Sequence, residues 1–374
     1  MLELRNICTQ IKDGDWIESK DQSADGIRLI QTGNIGIGTY LDKDNRAKFI
    51  SEETFNELKC TEVFEGDILI SRLPSPVGRA CLVPKLDGRA ITAVDCTIVS
   101  VDRDICIPKY FVYYTMSDKY LNQIDRFVVG TTRARISRKN LEGIKIFLPE
   151  ISRQKKIVEV LEKAQELIDK RKEQIKAVDE LVKSRFIEMF GNVITNNKDW
   201  DTELLGEICE LKAGKSIKAK DIYDECSNEL YPCYGGNGLR GYVKNYSHEG
   251  NINLIGRQGA LCGNVKYTSG KFYATEHAVV TQPKANVNIN TYWLHFVLKE
   301  LDLNRLSTGA AQPGLTVGKL NEVEIPKVSI ELQNEFANFV NQVDKLKSQM
   351  EISLKELEDN FNSLMQKAFK GELF

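Results

Sequence analysis

The sequence predicts an α+β fold built twice: two similar globular heads separated by a pair of long antiparallel coiled-coil helices, with an internal pseudo-twofold repeat. Three observations carry this. A constant shift of 179 superposes the halves over about 80 residues, pairing Tyr113 with Tyr292, Gly130 with Gly309, Leu141 with Leu320, Ile146 with Ile325, Ile151 with Ile330, Gln154 with Gln333 and Phe190 with Phe369. Two long stretches have helical periodicity with one narrow apolar seam and no Gly or Pro in their interiors. The regions before each of them carry short strand-like runs punctuated by turns.

At 374 residues, with 42% hydrophobic and 28% charged residues and a mean hydropathy of -0.32, the chain reads as soluble and globular, long enough for two domains of ordinary size. Disordered and fibrous classes are excluded. The first residues lack a signal-peptide layout, and no apolar run approaches the roughly 20 residues that cross a bilayer, so a cytoplasmic protein with no membrane partner is expected. Nine scattered cysteines, an odd number without a C-x-x-C pair, read as reduced core thiols and not as metal ligands.

The expected division is head one over 1–150, a first helix over 151–191, head two over 192–330, and a second helix with the C-terminal tail over 331–374. Upstream of the constant shift the register drifts as loops of unequal length require: Gly66 aligns with Gly250, Arg72 with Arg257, and Leu4–Cys8 with Leu205–Cys209. Strands are expected at Asp67–Ser71, Thr97–Val101 and Ala278–Thr281, and short helices at Ser51–Lys59, Pro108–Asn122 and Asn290–Leu301. In the first long helix the seam is read as Ile157, Val160, Ala164, Leu167, Ile175, Val178 and Val182. In the second it is Phe336, Phe339, Val343, Leu346, Leu354, Leu357 and Phe361. About 35 residues at 1.5 Å each make a rod of roughly 50 Å, and a rod with one seam needs a partner, for which its own duplicate is the obvious choice.

Catalytic signatures are missing. Gly314–Lys319 is one residue short of a phosphate loop, and Lys212–Ser216 lacks its opening glycine. The glycines at 33, 36 and 38 run in the wrong order for a dinucleotide fingerprint. His248, His277 and His295 form no metal-binding pair on a helix face, and His295, in the run YWLHF, reads as structural. There is no G-x-S-x-G elbow and no Asn/Asp-Pro-Pro-aromatic loop of the kind that receives a flipped base in amino-methyltransferases. The chain is therefore read as non-catalytic, with no metal and no cofactor of its own. A nuclease with dispersed metal-binding carboxylates in one head is the alternative.

The two-head plan, the helix starts Pro149–Ile157 (PEISRQKKI) and Pro326–Phe336 (PKVSIELQNEF), and the tail Leu364–Leu373 (LMQKAFKGEL) resemble the specificity subunit of type I restriction-modification enzymes across the whole chain. The resemblance implies that each head is a target-recognition domain reading half of a bipartite site in double-stranded DNA, with the paired helices as spacer. It implies two methyltransferase subunits as partners, which use S-adenosylmethionine to methylate adenine N6. Restriction subunits using ATP and Mg are an optional addition. It also implies that the C-terminal tail packs beside the N-terminus. Gly130–Ser137 and Gly309–Thr316 fill the place of the family's recurring loop before the last strand of each domain.

A formal net charge of -2 does not announce a nucleic-acid partner, but residues 121–140 hold Arg126, Arg133, Arg135, Arg138 and Lys139 against the single acid Asp125. Base discrimination needs guanidinium forks and amides, and register needs phosphate contacts. The candidate DNA-contacting residues are Arg72, Arg79, Arg133, Arg135 and Arg138 in head one. In head two they are Tyr234, Asn237, Arg240, Arg257, Gln258 and Gln312, beside glycine-rich loops that let backbone approach DNA closely. Arg72 and Arg257 end matched strands, so a structural salt bridge is the equal alternative for both.

Overall fold

Short strands, the central ones buried along nearly their whole length, build the same plan in both heads of this computed structural model, which describes residues 1–130, 133–259, 261–309 and 313–373. Head one runs β1 (Leu2–Glu3), β2 (Cys8–Asp13), β3 (Ile27–Ile30), β4 (Phe49–Ile50), α1 (Glu52–Leu58), β5 (Glu62–Val63), β6 (Ile68–Ser71), β7 (Ala80–Leu82), β8 (Ala90–Thr92) and β9 (Cys96–Val101). It continues through α2 (Pro108–Tyr114), α3 (Asp118–Asp125), α4 (Arg138–Glu142) and β10 (Lys145–Ile146) into the long helix α5 (Ile151–Phe190). Head two runs β11 (Thr202–Leu204), α6 (Leu205–Ile208), β12 (Cys209–Ala213), β13 (Tyr231–Gly235), β14 (Gly238–Val243), β15 (His248–Glu249), β16 (Ile252–Gly256) and β17 (Val265–Thr268). Then come β18 (Lys271–Ala274), β19 (Ala278–Pro283), α7 (Thr291–Glu300), α8 (Val317–Asn321), β20 (Glu324–Pro326) and the second long helix α9 (Ile330–Lys370).

The sheets correspond strand for strand. Head one has an antiparallel sheet β2-β9-β6-β7, a mixed sheet β4-β3-β8-β5 in which β3 and β8 are parallel, and the pair β1-β10. Head two has β12-β19-β16-β17, β14-β13-β18-β15 with β13 and β18 parallel, and β11-β20. The same tight crossing recurs at the end of β2 and of β12. The amide of Gly14 donates to Cys96 O and that of Gly214 to Ala278 O, at 2.9 and 3.0 Å. A Cβ at Gly14 would lie 2.3 Å from Thr92 O, and one at Gly214 2.2 Å from Ala274 O, so only glycine fits either crossing.

Short helices start where side chains cap them: Ser51, Ser117, Ser137, Asn290 and Thr316 each accept a main-chain amide of the first turn. The single helix expected over Pro108–Asn122 is two, α2 and α3. Thr115 Oγ1 donates back to Val112 O at 2.6 Å and Ser117 Oγ to Tyr114 O at 2.7 Å, so hydroxyls compete for the ladder and Ser117 restarts the chain as a cap.

The chain divides into two compact units, Met1–Lys172 with Ile352–Phe374, and Glu173–Glu351, so each unit contains part of both long helices. Within the first, Ile157, Leu161 and Ile168 of α5 share a core with Phe361, Met365, Ala368 and Phe369 of α9 and with the aromatic face of α2. Phe369 stands edge-on to Tyr110 and Tyr114, with ring centroids 5.5 and 5.3 Å apart. The helices run antiparallel here, since Arg153 Nη2 donates to Gly371 O while Lys172 pairs with Glu358. Within the second unit, Phe186 and Phe190 pack on Phe336, Phe190 on Trp293 of α7, and the ion pairs Asp179–Lys347 and Arg185–Glu335 again run antiparallel.

Each long helix is pinned at its start by a buried glutamine. Gln154 Oε1 accepts from Ile107 N at 2.9 Å, and its Nε2 donates to Ile105 O and Pro149 O, both at 2.8 Å. Gln333 Oε1 accepts from Asn290 N at 2.9 Å, and its Nε2 donates to Val328 O at 2.8 Å. These amides satisfy main-chain groups of the loop before α2 or α7 and of the entry to α5 or α9.

The seam departs from the sequence reading at Leu167 and Leu346, and along part of α5 the buried stripe is one residue out of phase. Ile157, Val178, Phe336, Val343 and Phe361 are buried as expected, and Val160, Ala164, Ile175, Val182, Phe339, Leu354 and Leu357 are half-buried at its edges. Leu167 and Leu346, however, are 54% and 46% exposed. Val160-Leu161 and Leu167-Ile168 are adjacent apolar pairs, so α5 offers two stripes about 100° apart, and the packing buries the one through Leu161 and Ile168. On α9 the turn after Val343 carries Lys347, half-buried, whose ammonium reaches Asp179 at 2.6 Å.

His295 lies on the inner side of α7, with Nδ1 3.2 Å from Asn253 Oδ1 and its ring near Tyr267 and Tyr292. Burial, then Lys299 and Lys266, pull its pKa from the ordinary 6.5 down to about 4.

Two measurements check this packing. Ile168→Ala is expected to cost about 2–5 kcal/mol of stability in denaturant unfolding, and Leu167→Ala less than about 1 kcal/mol; equal costs would return the seam to the phase read from the sequence. Because the unfolded chain takes up the His295 proton near pH 6.5 and the folded chain refuses it until about 4, stability should fall with acidification across that window. The full loss is about 3 kcal/mol, and His295→Gln should flatten that part of the melting-temperature profile.

Candidate nucleic-acid interface

The basic loop of head one is held at both ends by main chain. Val129 and Arg135 exchange two backbone hydrogen bonds at 3.0 and 2.9 Å around Gly130, whose φ of +93° only glycine adopts readily, and Ile136 N donates to Arg72 O at the end of β6. Two carboxylates organise the arginines there. Asp95 takes Arg133 Nη2 on Oδ2 and Arg135 Nη2 on Oδ1, both at 3.2 Å. Asp13 lies 3.4 Å from Arg72 Nη1 and 3.8 Å from Arg138 Nη1, while Arg138 Nε reaches Glu142 at 3.2 Å. The Arg133, Arg135 and Arg138 side chains are 75%, 45% and 47% exposed, so most of their donors face solvent.

Two of the expected DNA contacts are corrected. Arg79 is buried and donates to four main-chain carbonyls, those of Ile35, Leu73, Pro76 and Thr32, at 2.6 to 3.0 Å. It braces the loops around β6 and β7 and has no reach to a ligand. Arg72 is 4% exposed, bound to Val94 O and beside Asp13, which is the structural alternative weighed for it. Burial holds both guanidinium pKa values below their usual range, offset at Arg72 by Asp13. The sequence shows two strand-end arginines but not that kinked loops leave carbonyls facing inward, and an inward arginine is what satisfies them.

In head two the glycine-rich turns come together. The β13–β14 hairpin and the loop after β16 pass so closely that a Cβ at Gly256 would sit 2.1 Å from Gly236 O. They enclose an open pocket of about 420 Å³ lined by Asn237, Arg240, Gln258, Thr275 and His277 among glycines. Three expected residues, Asn237, Arg240 and Gln258, therefore share one site. Tyr234 is half-buried, edge-on to Phe272, and outside that lining. Arg257 is half-buried; its amide donates to His277 O at 3.0 Å and its carbonyl accepts from Leu315 N at 2.9 Å. Gln312 lies outside the described residues.

Sequence reading missed Asp13 and Asp95 in head one and Thr275 and His277 in head two. Thr275 is fully buried and its Oγ1 has no partner among the described residues, which leaves a polar atom at the pocket wall. A signal existed. Asp95 and His277 each stand just before a matched strand, β9 or β19, and each carbonyl accepts from the arginine that ends the neighbouring strand, Arg72 or Arg257.

Comparison with known proteins agrees with this geometry. The family model for the type I restriction modification DNA specificity domain matches residues 2–178 and again 197–358. The chain is 35% identical over 300 residues to the type I restriction enzyme EcoprrI specificity subunit of Escherichia coli, covering 75% of this chain and 72% of that one. Its fold is similar to that of a type I restriction-modification S subunit from M. genitalium, at 19% identity, a TM-score of 0.57, and coverage of 98% of this chain and 95% of the other. A second solved chain, from work on complex assembly and conformational transition of the type I R-M system, gives a TM-score of 0.66 at 19% identity over 100% and 97% of the two chains. With both halves matched by the same domain and a curated relative this similar across most of its length, the chain belongs to the DNA specificity subunits of type I restriction-modification systems.

Proposed function

We propose that residues 1–150 and 192–330 each read one half of a bipartite site in double-stranded DNA, and that the chain docks two methyltransferase subunits without catalysing the reaction itself. The observation that carries this reading is the recurrence, at the same place in both heads, of an exposed loop bonded to the end of a central strand: Ile136 N to Arg72 O, and Leu315 N to Arg257 O. In head one that loop offers guanidinium groups, and in head two it borders a pocket that offers the Asn237 and Gln258 amides and the Arg240 guanidinium. Arginine forks suit guanine O6 and N7 or phosphates, and Asn or Gln amides suit adenine N6 and N7.

For the partners, the support is apolar side chains that the long helices leave uncovered: Leu167 and Ile352 in the first unit, and Leu181, Ile187 and Leu346 in the second. S-adenosylmethionine belongs to the methyltransferase in this reading, and ATP with Mg to restriction subunits where a system has them.

Exchanging residues 1–150 for the matching head of a sister protein should change one half of the methylated sequence, read by sequencing modified DNA, and leave the other half intact. Arg133→Ala combined with Arg135→Ala should relax a position of the first half-site by about 1–3 kcal/mol if the pair reads bases. Phosphate contacts alone would weaken all sequences alike and lower the salt slope. Arg79→Ala should instead cost about 3 kcal/mol in folding, because it strands buried carbonyls, and should leave the recognised sequence unchanged; a changed sequence would put Arg79 back at the interface.

A further inference from the structure

The place held by Asp95 in head one is held by His277 in head two. Three pairs of main-chain bonds fix the equivalence: Arg72 N to Asp95 O and Arg257 N to His277 O, Gly14 N to Cys96 O and Gly214 N to Ala278 O, Ile136 N to Arg72 O and Leu315 N to Arg257 O. The fold therefore does not need a carboxylate here, since a histidine keeps the same backbone contacts. What differs is the loop opposite. By the constant shift of 179, Arg133 and Arg135 correspond to Gln312 and Gly314, so head two has no guanidinium at those positions.

We propose that Asp95 is a positioning residue for specificity: it holds Arg133 and Arg135 as one preset pair that reads a guanine-bearing edge of the first half-site. This rests on the reading of that loop as a DNA contact. One carboxylate oxygen binds each guanidinium at 3.2 Å, and the carboxylate is only 16% exposed whereas the arginines are 75% and 45% exposed. Asp95 thus acts from beneath, and the arginines keep their outward donors. Each guanidinium has five N–H donors, so one spent on Asp95 leaves enough for a bidentate contact to O6 and N7. Two like charges on alternate residues would spread apart without the acid, and fixing long side chains beforehand reduces the entropy lost on binding.

The acid also lowers the local positive charge. Its removal should therefore strengthen attraction to any phosphate backbone while weakening discrimination, a combination that a purely structural role does not produce.

The test uses the full chain assembled with its methyltransferase, a duplex DNA library randomised across the site, and sequencing of the methylated products. Asp95→Asn should reduce discrimination at a guanine position of the first half-site about tenfold, leave the second half-site unchanged, and increase binding to unrelated duplex DNA. Asp95→Glu, which keeps the charge, should restore most of the discrimination, and a melting curve checks that both variants fold. In a chain that already carries Arg133→Ala and Arg135→Ala, Asp95→Asn should change nothing further in specificity. If Asp95→Asn retains full discrimination while the double arginine variant loses it, the positioning role is overturned and the loop contact stands. If neither variant alters the methylated sequence, the loop contact itself is overturned.

Discussion

Each head is joined to its long helix through one buried amide at the helix start. Gln154 binds three main-chain groups, at Ile105, Ile107 and Pro149, and so ties the loop before α2, the start of α2 and the entry to α5 into one corner. Gln333 does the same between Asn290 and Val328 for α7 and α9. A glutamine whose amide is fully engaged can be buried at small net cost, whereas its loss leaves several main-chain groups dry and unpaired. The corner fixes where the aromatic face of α2 or α7 points, and that face is where the end of the other long helix arrives.

Phe369 meets Tyr110 and Tyr114 in the first unit, and Phe190 meets Trp293 in the second, and these two phenylalanines are themselves paired by the shift of 179. Each unit is thus closed by segments far apart in the chain, as in the first, where Arg153 donates to Gly371 O and Lys119 to Phe369 O. Since this clasp and the sheets carry the stability, the loops at the strand ends are released from it. They have diverged until the loop before α4 carries Arg133 and Arg135 where the matching positions before α8 are Gln312 and Gly314.

That division explains what could be read from the sequence. The repeat, the strands β6, β9 and β19 and both long helices follow from local period and from the buried positions that two copies share. The phase of the α5 seam between Val160 and Ile168 did not follow, because Val160-Leu161 and Leu167-Ile168 present two stripes and only the partner surface decides between them. The exposed arginines of the basic loop were legible as a charge run. Arg79 and Asp95 escape a sequence reading for a related reason: two of the four Arg79 carbonyl partners, Ile35 and Thr32, and both Asp95 arginine partners lie about 40 residues away, which no local pattern encodes.

The same partners bear on how a chain with a net charge of -2 reads DNA at all. Without a general positive field, attraction to arbitrary duplex is weak, so affinity has to come from a few local contacts. Asp13, Asp95 and Glu142, placed among Arg72, Arg133, Arg135 and Arg138, mute even the local field in head one. A guanidinium already paired with an acid gains less from a bare phosphate, while a base edge that presents two acceptors in the right plane still recovers its full geometry. If the proposed loop contact holds, the interleaved acids trade affinity for the ratio of specific to non-specific binding. That ratio is the quantity that matters for a subunit that must find one sequence among a genome of competing sites.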